Sequence, residues 1–293
     1  MGSDFRLFNA AENDYYVASS GDDVGKFIAS MIVQFANYCP YRQVLGPPCL
    51  GDTGTLPTNT FVAPMLNSST IANWCQWQPF NTATPMRGIF NRGRSPVGCV
   101  PLALGQIMAH NGFPNRSWNG RSASWNDIRQ FAFWEDGASA TNTGLTVAAM
   151  LYYTGCSVNA RYARNFTFAL PVNAACFLQR QGYRNVRLHR GYNEIEIMRM
   201  VGDRKPVFIA AISGLVNGHA WVIDGYQITI RGNTRQVLLH CVWGWRGQAN
   251  GWYASGIFNT RDGAVIPTNP PGTSPTFSGN YTWWFRIITY DLP

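Results

Sequence analysis

The chain has no run of about 20 apolar residues, so no helix of it is expected to cross a bilayer. It has no Cys-x-x-Cys pair and no Cys/His quartet at zinc-finger spacing, which argues against a structural metal, and nothing in it calls for a cofactor. Compact Lys/Arg runs and nucleic-acid motifs are also missing. The net charge of +8, from 23 basic and 15 acidic residues, is spread thinly, with mild clusters at Arg87, Arg92 and Arg94 and at Arg161 and Arg164. It reads as solvated surface, and no nucleic-acid partner is expected. No internal repeat is visible. Met1-Gly2-Ser3-Asp4 lacks the basic and apolar regions of a signal peptide, which predicts either a cytoplasmic chain or one whose signal has been removed.

What is present is apolar and aromatic. Hydrophobic residues make up 46%, with 11 Trp, 13 Tyr and 17 Phe, which excludes a disordered chain. At 293 residues it is long enough for one large domain or two lobes with a real core. The cysteine count is seven, and an odd count leaves at least one free thiol. Cys39 and Cys49 bracket a Pro-Gly loop and are a candidate disulfide pair in an exported protein.

One of those thiols stands where chemistry is possible. Val100 to His110 reads as a short buried helix with Ala103, Ile107 and Met108 on one face, Pro101 in its first turn, and Gly112 and Pro114 as its stop. That places Cys99 at the helix N-terminus, where free backbone N–H groups and the helix dipole favour an anion. A thiol of ordinary pKa, about 8.5, is mostly protonated at neutral pH, and the thiolate is what attacks a carbonyl. A base is therefore needed. His219 follows Gly218 at the start of the predicted strand His219 to Tyr226, and it lies 120 positions from Cys99, so the two are expected to meet across a cleft. The rival histidines are weaker. His240 ends an apolar strand and reads as interior, and His110 ends the Cys99 helix, facing solvent or a carbonyl. For a lone cysteine the ordinary reading is core packing, and it is the helix position together with the downstream histidine that favours chemistry.

Four ordered segments carry a resemblance. Gly98-Cys99-Val100 with Gln106-Ile107-Met108-Ala109-His110-Asn111-Gly112-Phe113-Pro114 is one, and Gly218-His219-Ala220-Trp221-Val222-Ile223-Asp224-Gly225 is another. Trp243-Gly244-Trp245-Arg246-Gly247 with Asn250-Gly251-Trp252-Tyr253 is the third, and Val62 to Leu66 with Trp74 to Asn81 the fourth. Together they resemble the streptopain family of bacterial cysteine peptidases. The resemblance implies a papain-like fold, metal-free cleavage of protein or peptide substrates, and synthesis as a secreted zymogen with a propeptide as possible partner. It also implies roles: Cys99 as nucleophile, His219 as general base, and Gln76 as oxyanion-hole donor beside the Cys99 N–H, with Gln78 as the competing glutamine. Trp243 and Trp245 would shield the imidazole and line the cleft, although barrel core is an equally ordinary use of two tryptophans. The papain-type Cys-Gly-Ser-Cys-Trp signature is absent.

One position departs from the pattern. Family members commonly carry Asn before Trp-Gly-Trp, and this chain has Val242. Valine cannot orient an imidazole, so another group such as a backbone carbonyl must do so, or the pair works as a dyad, or activity is reduced. Two other classes remain open beside the endopeptidase: a Cys-His amidase or acyltransferase on cell-wall peptides, and a catalytically weakened binding protein on the same scaffold.

The fold class expected is α+β, a papain-like two-lobe arrangement with the site in the cleft between the lobes. A helical lobe covers about residues 60 to 190, with helices at Thr143 to Thr154 and Val172 to Gln181 and one more at Glu194 to Val201. An antiparallel barrel-like lobe covers about 191 to 293, with strands at Val207 to Ile212, His219 to Tyr226, Gln236 to Val242, Gly251 to Ala254 and Trp283 to Tyr290. Residues 1 to 59 read as an extension or propeptide remnant, with an amphipathic helix after Asp22-Asp23 and a linker at 40 to 60. Asp262 to Asn280 reads as a long loop near the cleft. The resemblance places the family's substrate-pocket loop at about Arg161 to Leu170, where this chain looks unlike its relatives, so no substrate-binding residue is assigned; an aromatic-rich cleft would suit a bulky apolar residue beside the scissile bond.

Overall fold

The computed structural model describes residues 5–9, 14–18, 58–63, 65–67, 69–87, 93–132, 137, 140–214, 217–231, 233–268 and 279–293. The chain divides into two compact units, Met1–Thr55 and Leu56–Pro293. In the first, β1 (Phe5–Asn9) and β2 (Asp14–Ala18) pair antiparallel, with Phe5 opposite Ala18 and Asn9 opposite Asp14. The expected helix after Asp22-Asp23, both cysteines 39 and 49, and most of the 262–280 loop lie outside the described residues.

The second unit opens with β3 (Thr58–Ala63) and then turns helical: α1 (Ser69–Ala72), α2 (Cys99–Asn111), α3 (Trp125–Gln130), α4 (Asn142–Ser157) and α5 (Pro171–Arg180). Two small hairpins interrupt the helices, β4 (Met86–Arg87) with β5 (Gly93–Arg94) and β6 (Arg161–Tyr162) with β7 (Thr167–Phe168). Next come β8 (Arg184–Arg190), α6 (Glu194–Gly202), β9 (Val207–Ser213), β10 (Asn217–Arg231) and β11 (Thr234–Val242). Four more strands complete the chain: β12 (Gly251–Ala254), β13 (Phe258–Asn259), β14 (Ile266–Pro267) and β15 (Asn280–Asp291). Among the described residues nine strands form one antiparallel sheet in the order β13-β15-β9-β10-β11-β12-β14, with β3 added to β10 and β8 to β15.

Helix α2 is buried from Val100 to Ala109, all round and not along one face. An apolar face alone would leave the other side in water, but α2 packs against both α4 and β10, so both sides need apolar cover. Gly105 permits the close approach to α4, since a Cβ there would lie 2.3 Å from Leu151 Cδ2. Gly112, at φ 65°, ends the helix and donates its N–H to the Met108 carbonyl.

Two boundaries differ from expectation. Thr58–Ala63 is a strand and not the end of a linker. Only the first half of β10 pairs with β9, and β3 fills the edge left beside Tyr226–Arg231. Arg184–Arg190, expected in the helical segment, is likewise a strand, paired to β15 from Arg286 to Asp291. In both cases a long partner strand supplies the ladder, which local sequence does not reveal.

Candidate active site

Cys99 is the first residue of α2. Its N-cap, Gly98, has φ 95° and ψ 144°, and an added Cβ would lie 2.9 Å from Thr167 Cγ2, so the entry into the helix requires glycine. Thr167 in β7 is fixed by its hydroxyl, which donates to the Pro96 carbonyl at 2.7 Å. The small β6–β7 hairpin thus braces the turn that delivers the thiol. Beside Thr167 in the chain, Phe166 and Phe168 are solvent-exposed.

Burial raises the Cys99 thiol pKa, and hydrogen bonding from the backbone N–H groups of Ala220, Val100 and Cys99 itself opposes the rise. Two of these donors belong to the first turn of α2, where they have no intrahelical partner. The third follows His219 directly in β10. The thiol therefore lies near the backbone of the residue that follows His219.

His219 is buried, with 8% exposure, and lies opposite Ala211 of β9. Burial lowers its pKa from 6.5 to about 4, against a hydrogen bond to the Trp243 carbonyl that raises it. His219 Nε2 is 2.9 Å from that carbonyl oxygen. A carbonyl only accepts, so Nε2 carries the proton and the neutral ring keeps Nδ1 as its basic nitrogen. This backbone carbonyl stands where an orienting amide was sought. Val242 itself is fully buried and paired with Val222 in the ladder.

Aromatic rings enclose the imidazole. Ring centroids lie 4.6 Å away for Trp245, 5.9 Å for Trp243, 5.8 Å for Tyr281 and 6.3 Å for Trp221, and Trp221 stacks on Trp243 at 4.6 Å. The two tryptophans named from sequence thus meet His219 and are buried core at once. Gly244 at φ 73° makes the turn between them.

Gln76 is half-buried and held by its backbone. Cys75 bridges to Trp245, and Val97 donates its N–H to the Gln76 carbonyl at 2.8 Å, two residues before Cys99. Its rival Gln78 is exposed, and its Oε1 accepts from the Thr82 hydroxyl at 3.0 Å.

The other histidines are engaged elsewhere. His240 is buried, with Nδ1 2.5 Å from Asp224 Oδ1 and Nε2 2.8 Å from Thr268 Oγ1, and Asp224 Oδ2 accepts the Asn67 N–H. His110 Nε2 meets the Arg204 carbonyl at 3.1 Å, and burial lowers its pKa.

Three residues near the pair carried no assigned role in the sequence reading. Trp221 had a signal, since it follows His219 by two positions in a strand and so shares its face. Tyr281 had none, coming from β15, 62 positions downstream. Asn250 is buried, its Oδ1 accepts the Trp243 N–H at 3.0 Å, and its Nδ2 donates to the Ala72 carbonyl at 2.9 Å. It therefore anchors the residue whose carbonyl holds His219, through that residue's N–H, and ties it to the segment leading to Gln76.

Among the described residues, Cys75, Cys99, Cys156, Cys176 and Cys241 are free thiols, and no group of three or more His, Cys, Asp or Glu could hold a metal ion. No helix among them is long and apolar enough to cross a membrane. An open cavity of about 440 Å³ lies beside the Gln76 segment, lined by Trp77, Gln78, Asn81, Met86, Gly93, Arg94 and Arg246.

Comparison with known proteins speaks to the family and the fold. The thiol protease/hemagglutinin PrtT of Porphyromonas gingivalis is 25% identical over 71% of this chain and 26% of its own length. Streptopain of Streptococcus pyogenes is 22% identical over 74% of this chain and 65% of its own length. The chain thus spans about a quarter of the first relative and just under two thirds of the second. Among solved structures, the interpain A cysteine protease of Prevotella intermedia superposes with a TM-score of 0.55 at 18% identity, covering 78% of this chain and 94% of that one. A prointerpain A fragment of the same organism gives 0.56 at 16% identity, covering both chains fully. At such identities the likeness speaks for the fold, a mixture of helices with a large antiparallel sheet. The model of the Peptidase C10 family matches residues 74–253, which include Gln76, Cys99, His219 and both tryptophans of the turn, and the chain belongs to that family of cysteine peptidases.

Proposed function

We propose that the protein is a cysteine endopeptidase working through Cys99 and His219, with the helices before residue 181 and the sheet after it as the two walls of a papain-like cleft. One observation carries the reading most directly: the Nε2–H bond to the Trp243 carbonyl leaves His219 Nδ1 as base, while the backbone of the next residue in the chain, Ala220, lies near the Cys99 thiol. Nδ1 takes the thiol proton, and the sulfur attacks the scissile carbonyl carbon. The negative oxygen of the tetrahedral intermediate is received by the Cys99 N–H and the Gln76 side-chain amide. A donor so placed is often worth about 3 kcal/mol of barrier. The imidazolium then protonates the leaving amine, the C–N bond breaks and a thioester remains. Water, deprotonated by the same Nδ1, attacks the thioester; the C–S bond breaks, the acid is released, and the imidazolium returns its proton to the sulfur. Trp245, Trp243, Trp221 and Tyr281 keep bulk water from the ring.

Burial alone favours the neutral pair, since it raises the thiol and lowers the imidazole. The ion pair must therefore come from the mutual attraction of the two charges and from the helix N-terminus. Exposed Phe166 and Phe168 flank Thr167, which braces the turn before the nucleophile, and suit a bulky apolar residue beside the scissile bond. Residues 1–59 are read as an extension or propeptide remnant, and the protein as extracytoplasmic, in keeping with the likeness to a prointerpain A fragment.

The test is alkylation of the reduced protein with iodoacetamide at pH 7, mapping of the modified thiol, and casein hydrolysis by wild type, Cys99→Ala and His219→Ala. The expected result is preferential modification of Cys99 and loss of hydrolysis in both variants. Uniform slow labelling of all free thiols, with hydrolysis unchanged in Cys99→Ala, would overturn the assignment.

A further inference from the structure

The cavity beside Gln76 has no part in the chemistry above, yet its walls are chain neighbours of the proposed machinery. Trp77 follows the oxyanion donor Gln76, and Arg246 follows Trp245, the ring closest to the imidazole. Cys75 and Trp245 are joined by a backbone bridge, and Arg246 Nη2 approaches the Gln78 carbonyl at 3.4 Å, so both walls are tied to the same framework. The imidazolium hands its proton to the departing amine, so the leaving half of the substrate departs past His219. The cavity therefore borders the leaving-group side.

Its lining is chemically one-sided. Two guanidiniums, Arg94 and Arg246, stand in the wall with the Asn81 amide, and among the described residues the lining contains no carboxylate. Arg94 is half-buried and spends Nη1 on the Thr84 carbonyl at 2.5 Å, and among the described residues it has no ion-pair partner. A guanidinium has five N–H donors, so a brace of this kind fixes its plane and leaves donors over. Trp77, 37% exposed, and Met86, 43% exposed, add apolar surface beside the charges.

We propose that this cavity is a substrate subsite for a carboxylate side chain, glutamate in particular, in the segment on the leaving-amine side of the scissile bond. The carboxylate would take a charge-assisted bond from Arg94 while its methylenes lie against Trp77 and Met86. The placement relative to the bond rests on the Cys99–His219 reading, but the cavity's preference for a carboxylate does not.

The experiment uses the full chain as Cys99→Ala, which holds peptides without cleaving them. Isothermal titration is run with peptides that differ only in carrying Glu, Gln or Lys at each of the three positions after a preferred cleavage bond. At one of those positions Glu is expected to bind about tenfold tighter than Gln, with Lys weaker than Gln, and the Glu preference should shrink at 0.5 M salt. Arg94→Met, checked for folding by circular dichroism, should abolish the difference between Glu and Gln. Equal affinities for Glu and Gln at every position, or a preference that survives Arg94→Met, would overturn the subsite. Cleavage of the same peptides by wild type but not by Cys99→Ala reads the catalytic assignment separately, so either reading can fail while the other stands.

Discussion

The desolvation of His219 gives the sharpest test of how this site is built. In a Cys99→Ala background no thiolate is present to hold a proton on the ring, so burial alone sets its titration. The imidazole then keeps the pKa of about 4 that burial gives it, against 6.5 when unfolded. Because the folded pKa is the lower, the unfolded chain binds the extra proton between pH 6.5 and 4, and stability is lost as pH falls through that window. At about 1.4 kcal/mol per pKa unit, the full loss attributable to His219 is about 3 kcal/mol, and about 2.5 kcal/mol of it is present by pH 4.5. Other groups titrate in the same range, notably His110 and His189, whose pKa values burial also lowers. A second variant, Cys99→Ala with His219→Gln, carries those contributions unchanged. Urea unfolding of both at pH 7 and pH 4.5 therefore isolates the ring: the histidine-containing protein should lose about 2.5 kcal/mol more than its glutamine counterpart. Equal losses would mean that the imidazole is as well solvated when folded as when unfolded, and the aromatic enclosure would have no electrostatic consequence.

Three further outcomes follow from the geometry. Gly98→Ala places a Cβ at φ 95° within 2.9 Å of the Thr167 methyl, so urea unfolding should show a loss of about 1–3 kcal/mol and kcat/KM should fall with it; an unchanged kcat/KM would mean that the thiol does not depend on this turn. Asn250→Leu leaves the Trp243 N–H and the Ala72 carbonyl without their partner, and kcat should drop at least tenfold with KM little changed, whereas Asn250→Asp keeps the acceptor for Trp243 but sets an oxygen against the Ala72 carbonyl and should recover only part of it. His240→Ala takes the partner from Asp224 Oδ1 while Oδ2 keeps the Asn67 N–H, and should cost about 1–3 kcal/mol in urea unfolding at pH 7; an unchanged stability would mean that the His240 bond does not hold Asp224.

Much of the site was legible before any coordinates because its parts are local. The start of α2 is written in Gly98, Pro101 and the apolar run after them, and the strand carrying His219 is written in Trp221-Val222-Ile223. The departure at Val242 was legible too, but its resolution was not. The group that replaces the amide is the Trp243 carbonyl, and a backbone carbonyl has no signature in a sequence. The same limit hid the edges of the sheet. Thr58–Ala63 and Arg184–Arg190 become strands only because β10 and β15 outrun their neighbours and leave ladder groups to be paired.

The sequence by itself determined which residue types are present, their order, and the short-range elements that carry them, since helix starts, strand periods and glycine turns are set by neighbours a few positions apart. Only the tertiary structure decided what those residues can do. It set the Ala220 backbone near the Cys99 thiol, closed Tyr281 and three tryptophans around His219, and anchored Trp243, whose carbonyl holds the imidazole, to Asn250. These are contacts between segments far apart in the chain, fixed by packing and by the pairing of buried polar groups, and no local pattern encodes them.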